Sequence, residues 1–359
     1  MKSRWYSIAI LVLAFASFAA NAQNVMFEIA WRHNPNAQIY CLDVSENLDY
    51  VVFASHELRQ PDSPNREITL LTKSGQVMRK SRLNRNDWGA LSKTLVTNSG
   101  NIIALATTLS MKLGDRWGSQ SQILSISTGG DLLWSKRLDD ILVDDISITS
   151  DGNLIGFTHG NVISLLDENG SKIWTHSYGT EDEYSFAKIE ISNDGTLIVV
   201  YETHNQKIQA FDRGGEGQWS IECPEFNGFR MNKRTRTTGI LSRDRKDIVG
   251  FLTTKLFDSQ GGSVAAIGYA AKNWHDFAIS DKNEACITQK DDLGHYGLVY
   301  FSPSSNSRDK PSWVHEFEPP SGFQHSYPDV RIGDNGETII LSDGFEVVSF
   351  KKKQLEKKW

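Results

Sequence analysis

Seven residues recur at one place in a repeated unit of this sequence: Cys41, Lys93, Asp145, Lys188, Thr237, Asp276 and Asp329. Each stands just before a short alternating apolar run that ends in a turn. Several are of types that can do chemistry. Asp276 and Asp329, from neighbouring units, form a carboxylate pair that could hold a hard cation such as calcium or work as acid and base. Asp145 lies between Lys93 and Lys188, so the sign alternates there, and His275 and His325 stand close to the carboxylate pair in sequence. Asp145, Asp276, Asp329, His275 and His325 are therefore the catalytic candidates. The competing reading is that these groups only solvate a water-filled channel, and both readings stand at this level.

Other chemistry is missing from the motifs. The chain holds no G-x-S-x-G, no H-E-x-x-H, no P-loop and no G-x-G-x-x-G between a strand and a helix. Cys41, Cys223 and Cys286 are too few for a disulfide framework and fit no zinc spacing. One disulfide with a spare thiol, or three buried thiols, are both compatible with them. The acidic segments 139–145 and 181–183, and the basic ones 233–236 and 351–358, read as solvated loops and turns. A net charge of −6 argues against nucleic acid as partner, because phosphate binding needs a basic field. With 39% hydrophobic and 23% charged residues the composition is that of a globular chain able to bury a core.

The elements that must position these residues are legible as a repeat. Residues 146–159 followed by 162–174 match 189–202 followed by 208–219. Each copy has an alternating strand, a Ser/Asn-Asp-Gly turn, an apolar strand, a third strand ending near Asp, a Gly-rich turn and a strand with Trp. Fainter copies extend both ways to give seven units, roughly 40–53 residues apart, as expected of four-stranded propeller blades. The fifth unit, 237–269, is the weakest, so six or eight blades are the alternatives. Pairs such as Asp151-Gly152 and Asp194-Gly195 supply the positive φ that tight hairpins need. Trp134, Trp174, Trp219 and Trp313 fall on the last strand of their units, where a large ring can wedge between sheets. A strand near Phe27–Trp31 is expected to join or abut the last blade and close the ring.

Residues 1–22 read as a secretory signal peptide. Lys2 and Arg4 precede an apolar run from Ile8 to Ala20, and Ala20-Asn21-Ala22 is a small-x-small cleavage site. No Cys follows that site, and the run is short for a membrane span. The expectation is an exported, soluble chain, periplasmic or secreted and not lipid-anchored, with residues 23–359 as one all-β domain, a single propeller.

In such a fold the connections between second and third strands and between successive units share one face. Here they are the longer ones, including 56–67, 84–93, 109–121, 179–187, 224–237, 291–297 and 319–329, and long loops in a compact fold tend to carry function. They and their flanks gather Trp88, Trp117, Tyr184, Phe229, Trp274, Tyr296 and Tyr327, which with Lys93 and Lys188 form the candidate binding set. Packing of the loops alone would also account for some of these rings.

The half-repeat Leu165-Leu-Asp-Glu-Asn-Gly-Ser-Lys-Ile-Trp174 resembles the A-x-D-x-x-T-G-x-x-x-W unit of PQQ-type, quinoprotein-dehydrogenase-like propellers. Residues 210–219 and 125–134 match it more loosely. That superfamily holds PQQ dehydrogenases and also non-catalytic scaffolds, such as the outer-membrane assembly propeller of bacteria. The vicinal Cys-Cys pair of the alcohol dehydrogenases is missing here, and no cofactor ligand can be carried over residue by residue. The resemblance therefore implies the fold and a non-catalytic member. The expected function is an interaction scaffold without cofactor, probing a protein or peptide, or a glycan, with its long-loop face, as a monomer. The alternative is a channel-mouth enzyme, a metal-assisted lactonase-type hydrolase, a lyase or a PQQ-dependent oxidoreductase, needing calcium or PQQ.

Overall fold

The computed structural model describes residues 26–57, 65–84, 90–113, 116–139, 141–177, 186–203, 206–223, 226–243, 251–270, 273–290, 296–302, 312–317, 328–333 and 335–353. These form seven four-stranded antiparallel sheets, each a blade of consecutive strands except the last. The protein is a seven-bladed β-propeller. The inner strands, blades 1 to 7 in order, are Ala37–Val44, Ala90–Val96, Asp145–Ile148, Ala187–Ile191, Phe226–Asn232, Asn273–Ile279 and Asp329–Ile332. Blade 7 takes its outer strand from the other end of the chain. Met26–His33 pairs antiparallel with Val347–Lys353, so the two ends of the described chain close the ring by hydrogen bonds. No helix among the described residues is long and apolar enough to cross a membrane.

Local chemistry sets the hairpins. In blade 3 the Thr149 hydroxyl bonds Asp151 at 2.6 Å and the Gly152 N–H closes the turn onto Thr149 O at 3.0 Å, with Gly152 at φ 79°. Ser192, Asp194 and Gly195 repeat the device in blade 4. The outer hairpins use a carboxylate in the same way. Oδ1 of Asp167, Asp212 and Asp258 each accepts two turn N–H groups at 2.8–2.9 Å.

Those outer turns also fasten one blade to the next. Trp31, Trp134, Trp174 and Trp219 each lay the indole over a positive-φ glycine of the following blade, respectively Gly75, Gly170, Gly215 and Gly261. Each indole N–H donates to a carbonyl in the same turn, at 2.6–2.9 Å. A side chain on the glycine would meet the ring, 2.6 Å away at Gly75, so Trp and Gly are required together. Arg79 takes the place of Trp over Gly130, and Trp313 instead packs against Phe27 and Phe350. The sequence expectation of wedged Trp rings holds, and the glycine partner is what the structure adds. At the junction of blades 5 and 6 the matching position is Ala265, which has no ring to dock.

Blade 5 departs from the sequence reading. Its inner strand is Phe226–Asn232, within a segment expected to be a long loop, and residues 237–243 are its second strand. The Ser-Asp-Gly turn is replaced by Lys233–Arg236, where Asn232 Oδ1 accepts the Arg234 and Thr235 N–H groups at 3.1 and 2.9 Å. Without Asp-Gly, that turn carried no recognisable mark.

Candidate functional site

The inner strands present an open edge to the central channel, and its N–H and C=O groups must find partners. Side chains of the adjacent blade supply many of them. Asp43 accepts Val96 N–H, Asp145 accepts Ile189 N–H and Asp276 accepts Val330 N–H, each at 3.1 Å; Ser147 accepts Ile191 N–H at 3.2 Å. Asp329 takes a backbone hydrogen bond from Leu42. Lys93 reaches from blade 2 to Asp145 and to Ile146 O in blade 3, both at 2.7 Å. Arg230 in blade 5 bridges Glu190 of blade 4 at 3.4 Å and Asp276 of blade 6 at 2.8 Å. Arg331 bonds Asp276 at 2.8 Å and crosses to Leu42 O at 3.0 Å and Asp43 at 3.4 Å. Every seam of the ring is thereby bridged, in a girdle of alternating charge around the channel.

The girdle has two tiers. Six of the seven aligned residues form the first: Cys41, Lys93, Asp145, Lys188, Asp276 and Asp329. A β-bulge precedes this position in blades 1, 2, 5 and 6 and re-aims the chain towards the channel. Thr237 does not belong to it, because blade 5 is shifted by one strand; Gly228 holds the place after the bulge. The second tier lies two residues along, with Asp43, Ser147, Glu190, Arg230 and Arg331. Sequence reasoning missed it, although period-two alternation from the first tier leads straight to these positions.

The electrostatics follow from enclosure. Burial opposes ionisation of Asp145, but Lys93, through charge and hydrogen bond, holds its carboxyl below the usual range. Asp276 is likewise buried and likewise held low, by Arg230 and Arg331. Asp329 goes the other way, pushed up to about 6 by burial and then by Asp276, against the pull of Arg331 and Arg230. Of this carboxylate pair, Asp329 takes the first proton. Asp144 is raised to about 7, chiefly by burial. Enclosure by the channel walls and the Arg230 charge depress the Lys188 ammonium, and burial lifts the Cys41 thiol to about 11.

A pH dependence follows. A carboxyl whose folded pKa exceeds its unfolded value of 3.8 binds more protons in the native state between the two values, so stability falls as pH rises through them. Asp329→Asn should stabilise the protein at pH 8 and remove about 1 kcal/mol of the gain otherwise seen on going from pH 8 to pH 5. Urea unfolding at the two pH values measures this; an unchanged difference between them would refute the assignment.

These partners bear on catalysis. Asp145 is engaged by an ammonium and Asp276 by two guanidinium groups, which occupy the ground a hard cation would need. That donor set does not fit calcium, and among the described residues no group of three His, Cys, Asp or Glu is arranged for a metal. His275 is half-buried and lies against Tyr296 with 5.4 Å between ring centres.

The binding candidates divide. Phe229 and Tyr296, expected on exposed loops, are core residues at 2% and 3% exposure, because Phe229 lies on the inner strand of blade 5 and Tyr296 on the third strand of blade 6. Trp88, Tyr184, His325 and Tyr327 lie outside the described residues. Trp117 and Trp274 are in strands, paired with Lys112 and Gln289. The segment holding Trp117 is not a loop. Ile102–Leu113 and Arg116–Ile126 pair along their whole length, whereas among the described residues the flanking strands pair with them only as far as Thr107 and Ser121. A two-stranded ribbon thus stands about 20 Å beyond the blade, on the long-loop face, at ~3.3 Å per residue.

No protein-family model matches this chain, and no curated protein matches it. Among solved structures it is similar to the Cps50 (Swd1) β-propeller domain of Myceliophteria thermophila, with 11% identity, a TM-score of 0.61, and coverage of 91% of this chain and 99% of that one. At that identity the likeness establishes one thing, that the chain has the β-propeller fold.

Proposed function

We propose that this protein is an exported, non-enzymatic interaction scaffold that engages a protein or peptide partner with its long-loop face. The ribbon of blade 2 carries the reading. An isolated two-stranded ribbon is marginally stable in water, and this one, whose second strand carries Trp117, has edges that no other described strand pairs with, an arrangement suited to pairing with another chain. The girdle supports the absence of catalysis, since its carboxylates are engaged in joining blades. The repeated Asp turn, docked glycine and Trp support assignment to the PQQ-like repeat, as a member without cofactor. The Ala20-Asn21-Ala22 site supports export.

Thr107 and Ser121 face each other across the base of the ribbon, so residues 108–120 can be replaced by Asn-Gly. That variant should keep its Tm within a few degrees and lose at least tenfold in partner recovered by crosslinking in the exported fraction. Trp117→Ala, Trp274→Ala and Tyr327→Ala should act in the same direction. Unchanged recovery would remove the long-loop face from consideration, and a mature protein not beginning at Gln23 would remove the assigned leader.

A further inference from the structure

Tyr40, His56 and Arg66 come together from the first three strands of blade 1, at the end where the long loops emerge. His56 and Arg66 are cross-strand partners. Tyr40 is the extra residue of the bulge between Ile39 and Cys41, which turns it to the side facing blade 2. There it packs in one cluster with Leu83 and Leu91. Its ring centre is 5.8 Å from that of His56 and 5.3 Å from the Arg66 guanidinium carbon. Each of the three holds a buried polar atom with no hydrogen-bond partner among the described residues: Tyr40 Oη, His56 Nδ1 and Arg66 Nε. Arg66 is near enough to act on the Tyr40 hydroxyl, but a hydrogen bond of good alignment is lacking. No described carboxylate meets Arg66 either. The adjacent Glu67 faces the other side of the sheet and takes Lys80 and Arg82.

Buried polar atoms are normally paired, and three orphans in one crevice mark the place of a missing partner. All three can donate, from a phenol, an imidazole and a guanidinium. Burial lifts the Tyr40 phenol well above its usual range, so it keeps its proton, and burial with the Arg66 charge holds His56 neutral. The crevice therefore offers one positive charge and two neutral donors. A carboxylate matches that charge and has acceptor sites enough for all three groups. The ribbon of blade 2 rises from the neighbouring blade on the same face. We propose that this crevice binds a carboxylate of a peptide partner, held by Arg66, Tyr40 and His56. The partner's class rests on the scaffold reading, but the site lies outside the ribbon, so either can fail alone.

Titration of the full mature chain at low salt with three acetylated tripeptides tests it. They are Gly-Glu-Gly amide, Gly-Gln-Gly amide and Gly-Gly-Gly with a free C-terminus, followed by NMR of the His56 ring, which His56→Gln assigns. At least one acidic peptide should bind saturably and at least tenfold more tightly than the glutamine peptide. Which acid binds better tells a side chain from a terminus. Arg66→Met should remove that binding and Tyr40→Phe weaken it at least threefold, each at unchanged Tm. Arg66→Lys should weaken it less than Arg66→Met, and keeps the test valid if the methionine variant misfolds. No saturable shift, an equal response to the glutamine peptide, Arg66→Met without effect, or tighter binding of inorganic phosphate would each overturn the proposal. So would a Asp62→Ala variant that binds at least tenfold more tightly, because this carboxylate of the connection after His56 would then be the missing partner. Replacing residues 108–120 by Asn-Gly should leave these titrations unchanged, which separates failure of the ribbon from failure of the crevice.

Discussion

Asp276→Ala should cost about 3–5 kcal/mol of folding stability, the range for removing one partner from a buried ion pair. The carboxylate, with 11% of its side chain exposed, is shared by two guanidinium groups that are themselves only 20–23% exposed. It also accepts the Val330 N–H. Its loss leaves Arg230 with Glu190 at 3.4 Å and Arg331 with Asp43 at 3.4 Å. Asp276→Asn keeps an acceptor for Val330 and should cost less. The double variant Asp276→Ala/Arg230→Met should be more stable than the sum of the two single effects by at least about 1 kcal/mol, since the residues interact directly. Denaturant unfolding of the four proteins completes the cycle. An alanine variant within 1 kcal/mol of the native protein would show that the girdle does not hold the ring. Because Asp276 is held below its ordinary value, its contribution is present above that value and fades as pH falls through the folded one, opposite to Asp329.

Trp174→Ala is the second large effect, at about 3 kcal/mol, the low end for truncating a packed Trp because this ring is half-buried. Both the stacking over Gly215 and the hydrogen bond to Arg213 O at 2.8 Å are lost. Trp174→Phe retains the ring without the donor and should recover more than half of the loss. Thermal melts of the three proteins decide it; a phenylalanine variant no better than alanine would assign the energy to the hydrogen bond instead.

The architecture was legible because the propeller repeats its turn chemistry. Asp151-Gly152 and Asp194-Gly195 mark inner hairpins, and Asp167, Gly170 and Trp174 mark an outer one. Where a blade uses another solution the signal fails. In blade 5, Asn232 caps a basic turn, so its inner strand read as loop and Phe229 as an exposed ring. Tyr296 failed for a different reason: a strand buried on both faces has no alternation to reveal which rings are covered. Six of the first-tier channel residues followed from alignment alone. Their bonding could not, because Arg230 meets Asp276 across 46 positions of chain and Arg331 meets Asp43 across 288. The first pair exists only once blades 5 and 6 stack, and the second only once the ring is closed.

The rim contacts give the ring a direction of weakness. Six junctions are riveted near the perimeter by Trp or Arg side chains, and the one between blades 5 and 6 has Ala265 instead. Among the described residues that seam is held nearer the axis and along the short-turn face, by Arg230 with Asp276, Asn232 with Ile279 O and Arg234 with Asp281. The seven seams are therefore not equivalent: six are joined at both radii by the residues described, and this one at the inner radius.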